Sequence, residues 1–171
     1  MAKITFQGNP INTSGELPQV GNKAPDFILV DSNLNDTSLS NFKNMYKILN
    51  IVPSLDTPVC QKSTKAFNNK IESIQDTVVL AISADLPFAM ERFCSSESLT
   101  LIKSLSMMRS RNFAKDYGVL ITDGPLAGIT ARAIVVLNKE NTVVHSELIS
   151  EISHEPDYDM AVKILDAAEL L

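Results

Sequence analysis

Two short apolar runs most constrain what this chain can fold into. Tyr46–Val52 (YKILNIV) and Thr77–Ala84 (TVVLAISA) are β-rich and nearly continuous in hydrophobicity. Runs of this length suit strands buried on both faces of a sheet. Between them, Val59, Ala66, Phe67, Ile71 and Ile74 fall largely on one helical face, so a helix is expected from Pro58 to about Gln75. Asp85, with Pro87 two positions later, reads as the start of a second helix carrying Phe88 to Cys94. Asn112–Tyr117 before Gly118 reads as a short helix with a glycine stop.

The flanks complete the pattern. Gly8-Asn9-Pro10 is a turn signal between residues 3–6 and 11–13, which predicts an N-terminal hairpin. Ala24–Val30 leads into a short strand, and Leu39–Phe42 suits one helical turn. Thr130–Leu137 and Thr142–Ile149 flank Asn138-Lys139-Glu140-Asn141 as a hairpin, and Tyr158–Leu171 closes the chain as an amphipathic helix. Strands alternating with helices, then a hairpin and a last helix, describe a three-layer α/β arrangement. With no internal repeat or linker, residues 1–171 are expected to form a single domain.

Composition excludes several roles. A net charge of −5 without a Lys/Arg block argues against nucleic acid and anionic membrane surfaces as partners. No apolar stretch approaches the length of a membrane span, and no secretory signal is evident, so a cytoplasmic protein is expected. The two cysteines, Cys60 and Cys94, form no CxxC, and with His145 and His154 they show no zinc-ligand spacing. In a reducing compartment they could be two inert buried thiols. His145 and His154 fall in no recognisable acid–base motif.

The surroundings of Cys60 argue for more. Pro53-Ser54-Leu55-Asp56-Thr57-Pro58-Val59-Cys60 joins a buried strand to a helix. With Thr57 as N-cap and Pro58 at the first helical position, Cys60 falls in the first turn, facing free backbone donors and the positive helix end. A thiol of pKa about 8.5 is only about 3% ionised at pH 7, and one near 6 is about 90% ionised, a difference of roughly 3.4 kcal/mol. A helix end supplies about 0.3–1 kcal/mol, up to about 2 when partly buried. A cation is therefore needed from elsewhere.

The motif Pro-x-x-x-Thr-x-x-Cys after an apolar strand resembles the active-site signature of peroxiredoxins, with Pro53, Thr57 and Cys60 in the matching places. Phe6–Pro10, Ala24–Phe27, Ser83–Ala89, Arg92-Phe93-Cys94, Asp123–Leu126 and Glu155–Asp159 are similar to the bacterial thiol peroxidase branch, nearly end to end. The resemblance implies a thioredoxin-like fold with a central mixed sheet, flanking helices and an added N-terminal β-hairpin. It also implies that Cys60 attacks a hydroperoxide, Thr57 hydrogen-bonds the thiolate or substrate oxygen, and Pro53 shields the pocket. Arg132 would supply the cation, with Arg92, Arg109 and Arg111 as competing candidates for the same charge. Cys94 would resolve the sulfenic acid as an intrachain disulfide, with thioredoxin as reductant, a homodimer as the assembly, and no metal or organic cofactor.

Blander alternatives stand beside these. Thr57 is equally suited to plain N-capping, Arg132 to a solvated strand end, and Cys94 to core filling next to Phe88, Met90 and Phe93. Met107 and Met108 suit either a pocket for organic hydroperoxides or ordinary packing. A one-cysteine peroxidase or sensor, and a binding protein on the same fold, remain competing functions.

Overall fold

The computed structural model describes residues 1–169, with the side chains of Cys60, Gln61, Ser63 and Glu169 outside the description. The N-terminal hairpin pairs β1 (Lys3–Phe6) with β2 (Asn9–Asn12). Its turn is Gln7-Gly8, both with positive φ, rather than the expected Gly8-Asn9-Pro10. This two-residue geometry matches the twist of the strands it joins. Pro10 can sit in β2 because a two-stranded ribbon leaves every strand an edge.

A seven-stranded mixed sheet forms the centre. Its strands are β3 (Leu29–Val30), β4 (Asp36–Thr37), β5 (Tyr46–Ile51), β6 (Thr77–Ser83), β7 (Ile102–Ser106), β8 (Ala133–Leu137) and β9 (Val143–Leu148). They lie in the order β4-β3-β7-β6-β5-β8-β9. The three central strands β7, β6 and β5 are mutually parallel, and the outer pairs are antiparallel. β7, with its polar Lys103, Ser104 and Ser106, has no apolar run to announce it; pairing with β6 and β3 makes it a strand.

The helices are α1 (Pro58–Lys70), α2 (Pro87–Ser96), α3 (Asn112–Asp116) and α4 (Tyr158–Glu169), with a single 3-10 turn at Leu39–Phe42. Alternation along β5 sends Ile48 and Val52 to one face and Leu49 and Ile51 to the other. On the first face lie Phe67 and Ile71 from the α1 region, Met90 and Cys94 of α2, and Ala161 and Leu165 of α4. On the second lie Phe113, Ala114 and Tyr117 from the α3 region, and Ile4 and Ile11 of the hairpin. The helices that carry the two cysteines thus share one face of the sheet.

Two boundaries differ from expectation. α1 ends at Lys70, although Ile71 is buried and Ile74 packs against the same core. Apolar periodicity reports burial, and here the chain leaves the helix while staying on the core, turning through Asp76 at φ 51°. α2 starts at Pro87 with Leu86 as its N-cap, two residues after the expected start at Asp85. The glycine stop after α3 holds. Gly118 has φ 70°, and any Cβ there would run into the backbone of Glu16.

Candidate active site

Beyond β5 the chain leaves the sheet at the carboxyl ends of the parallel strands, where open α/β sheets commonly place their ligands. Val52 still donates its N–H to Ile82 O at 3.0 Å, and Pro53 is buried. The Thr57 hydroxyl donates to Ser54 O at 3.1 Å, folding the segment into a compact turn. Pro58 opens α1 at once, so Cys60 is its third residue, in the first turn. The expectations that concern the Cys60 side chain itself lie outside the described residues.

Arg132 sits just before β8. The pairing of Ile51 with Ala133 puts Arg132 level with Val52, beside Pro53. It is 2% exposed, which excludes the solvated strand end. Its Nε donates to Ile152 O at 2.9 Å, fixing part of the guanidinium. Nearby, Thr130 Oγ1 donates to Val52 O at 2.8 Å and ties the two chain segments together. The other arginines are placed differently. Arg109 pairs with Asp36 at 2.6 Å, and Arg111 donates to Gly128 O and Met107 O. Arg92 is exposed, on a cleft lined also by Ser54, Asp56 and Asp85.

Cys94 lies two residues before the end of α2 as a free thiol in the helix-bearing core. Burial, reinforced by the charge of Glu91, pushes its pKa up to about 11. It also borders a cavity of about 640 Å³ lined by Asp31, Asn33, Thr37, Asn41 and Ser98, among others. Pro53, Thr57, the start of α1 and Arg132 therefore gather around the end of β5, and Cys94 sits on the neighbouring helix of the same layer. Met107 is buried in the opposite core and Met108 is exposed. His145 lies on β9, and His154 is exposed beyond it.

One residue of this region was misread from sequence. Asp85 accepts hydrogen bonds from Ser54, Leu55 and Ser83. The available signal was polar: Ser54, Ser83 and Asp85 each follow or end an apolar strand run.

The fold and this arrangement define a thioredoxin-like oxidoreductase of the peroxiredoxin kind. Residues 19–162 match the redoxin family, and the chain belongs to it. It is 44% identical over 156 residues to a thiol peroxidase of Vibrio cholerae, covering 91% of this chain and 95% of that one. A peroxiredoxin-like protein from Aquifex aeolicus superposes with a TM-score of 0.91 at 37% identity, over 100% of this chain and 98% of that one. A thiol peroxidase from Chromobacterium violaceum gives 0.91 at 28% identity, over 98% and 97% of the two chains.

Proposed function

We propose that the chain reduces hydrogen peroxide and organic hydroperoxides through Cys60 and is recycled by thioredoxin. The Cys60 thiolate attacks the distal peroxide oxygen and the O–O bond breaks. Sulfur becomes a sulfenic acid, and the departing alkoxide or hydroxide takes a proton. Negative charge grows on the leaving oxygen, so donors fixed beforehand lower the barrier. The first-turn N–H groups of α1 and the Arg132 guanidinium are the donors in this reading; Thr57, whose one O–H goes to Ser54 O, orders the turn that presents them, and Pro53 keeps water out. The Cys94 thiol then attacks the sulfenic sulfur, water leaves, and an intrachain disulfide forms. Thioredoxin's dithiol returns both cysteines to thiols. A single cytoplasmic domain acting as a homodimer completes the proposal.

The observation that carries this reading is the buried Arg132 level with Val52, where the segment that delivers Cys60 to the first turn of α1 begins. The test is peroxide consumption coupled to thioredoxin, thioredoxin reductase and NADPH. Cys60→Ser should abolish turnover with the fold intact; retention of more than a few per cent of wild-type kcat/KM would sink the assignment.

A second reading, a one-cysteine peroxidase, is favoured by the Cys94 pKa, pushed up to about 11 as for an inert core thiol. One equivalent of peroxide separates the two. An intrachain disulfide supports the two-cysteine cycle, and a persistent sulfenic acid supports the alternative.

A further inference from the structure

The carboxyl ends of β5, β6 and β7 lie side by side, and Asp85 ties all three. Its Oδ1 accepts the Ser54 hydroxyl at 2.8 Å. Its Oδ2 accepts the Leu55 N–H at 2.7 Å and the Ser83 hydroxyl at 2.8 Å. Its backbone carbonyl accepts the hydroxyl of Ser106, the last residue of β7. The contacts continue along the chain toward the site. Ser54 Oγ accepts the Asp56 N–H at 3.1 Å, and Ser54 O accepts the Thr57 hydroxyl at 3.1 Å. A displacement of Ser54 is thereby passed to Thr57 and to the first turn of α1. Hydrogen bonds to an ionised carboxylate are stronger than neutral ones, which suits an anchor for a segment that has left the sheet.

We propose that Asp85 is a positioning residue of the peroxide site, holding residues 54–57 so that the start of α1 meets the substrate in register. This rests on the peroxidase reading above. A misplacement of about 1 Å in such a site can cost about a hundredfold in rate.

Asp85→Asn keeps the shape but turns an NH₂ group toward donors that need an acceptor. Its kcat/KM for hydrogen peroxide should fall roughly tenfold to a hundredfold. Alkylation of Cys60 by iodoacetamide, measured at a pH where the thiol is fully ionised and needing no aligned peroxide donors, should stay within about threefold of wild type. Ser54→Ala, which removes one arm of the contact, should show a smaller loss of the same kind and carries the test if Asp85→Asn does not fold. Unchanged peroxide kinetics in the folded variant would overturn the proposal. So would an equal fall in both reactions, which marks general destabilisation. A wild-type chain that fails to consume peroxide would instead bring down the peroxidase reading itself.

Discussion

Lys65 of α1 and Glu97, which caps the end of α2, meet at 2.7 Å. A second tie runs beside them, from the Leu101 N–H to Asn68 Oδ1 at 3.2 Å. The first links the Cys60 helix to the end of the Cys94 helix, and the second links it to the chain just before β7. In the proposed cycle the two Cα atoms must come within about 7 Å, and two helical thiols reach that by local unwinding.

The ion pair should therefore brake disulfide formation. Exposed pairs contribute about 0.2–1 kcal/mol, so Glu97→Gln should speed the step roughly 1.4- to 5-fold. High salt should accelerate the wild type in the same way and leave the variant unchanged. Rapid quenching after a peroxide pulse reads the rate. Slower closure in Glu97→Gln would mean the pair guides the helices together instead.

Arg132→Met should slow the reaction of the Cys60 thiolate even at pH values where it is fully ionised. It should also cost about 1–3 kcal/mol of stability, because the Ile152 carbonyl loses its Nε donor in a buried place. Arg132→Lys restores charge without the planar fork and should recover only part of the rate. Denaturant unfolding and single-turnover kinetics across pH 5–9 test both statements. A wild-type rate throughout would transfer the cation role to Arg92, which borders the same segment.

Cys94 should be silent in the reduced protein at neutral pH. Iodoacetamide at pH 7 should label Cys60 and spare Cys94, whose pKa is pushed up by burial and by Glu91 to about 11. The raised value also has a stability signature. The folded thiol titrates above its ordinary value of 9.0, so the stabilisation is complete below about pH 9 and is lost as pH climbs toward 11. Cys94→Ala should flatten the thermal-stability profile in that window. A profile unchanged by the substitution would contradict the buried seat.

Acid should loosen the N-terminal hairpin. Glu151 accepts bonds from the Thr5 and Ser153 hydroxyls and from the N–H groups of Gly8 and Gln7, with Thr5 contributing most, which lowers its pKa to about 2. A depressed carboxylate stabilises above its ordinary value of 4.5, and the contribution disappears as pH falls toward 2. Glu151→Gln should raise amide exchange over residues 3–12 at pH 7 and remove part of the acid sensitivity. The hairpin also reaches the site, since Ile152 donates its N–H to Thr5 O at 3.0 Å and offers its own carbonyl to Arg132. A loosened hairpin should therefore lower peroxide kcat/KM. Exchange identical to wild type would remove Glu151 as the clasp.

Much of this is legible in the amino-acid sequence. β5 and β6 stood out because strands covered on both faces must be apolar throughout, and Thr57-Pro58 marked the start of α1 through local backbone chemistry. β7 and the two-residue strand β4 did not, because their pairing is decided by the strands they meet in the fold rather than by their own residues. The burial of Arg132 was equally hidden, since only the alignment of β5 with β8 brings it level with Val52. Asp85 was misassigned for a related reason. An acidic residue two positions ahead of a proline suits a helix start locally, and its true partners, Ser54 and Leu55, lie 30 or more positions away.

The cavity beside Cys94 bears on what its departure would leave behind. A core side chain that withdraws from a sealed apolar seat opens a dry hole, which water cannot usefully occupy. Here the thiol borders a hollow of about 640 Å³ furnished with the polar groups of Asp31, Asn33, Thr37 and Asn41. Solvent can follow the sulfur outward and find hydrogen-bonding partners as it enters. In the proposed cycle the seat that Cys94 leaves can therefore be filled from the adjoining cleft rather than standing empty.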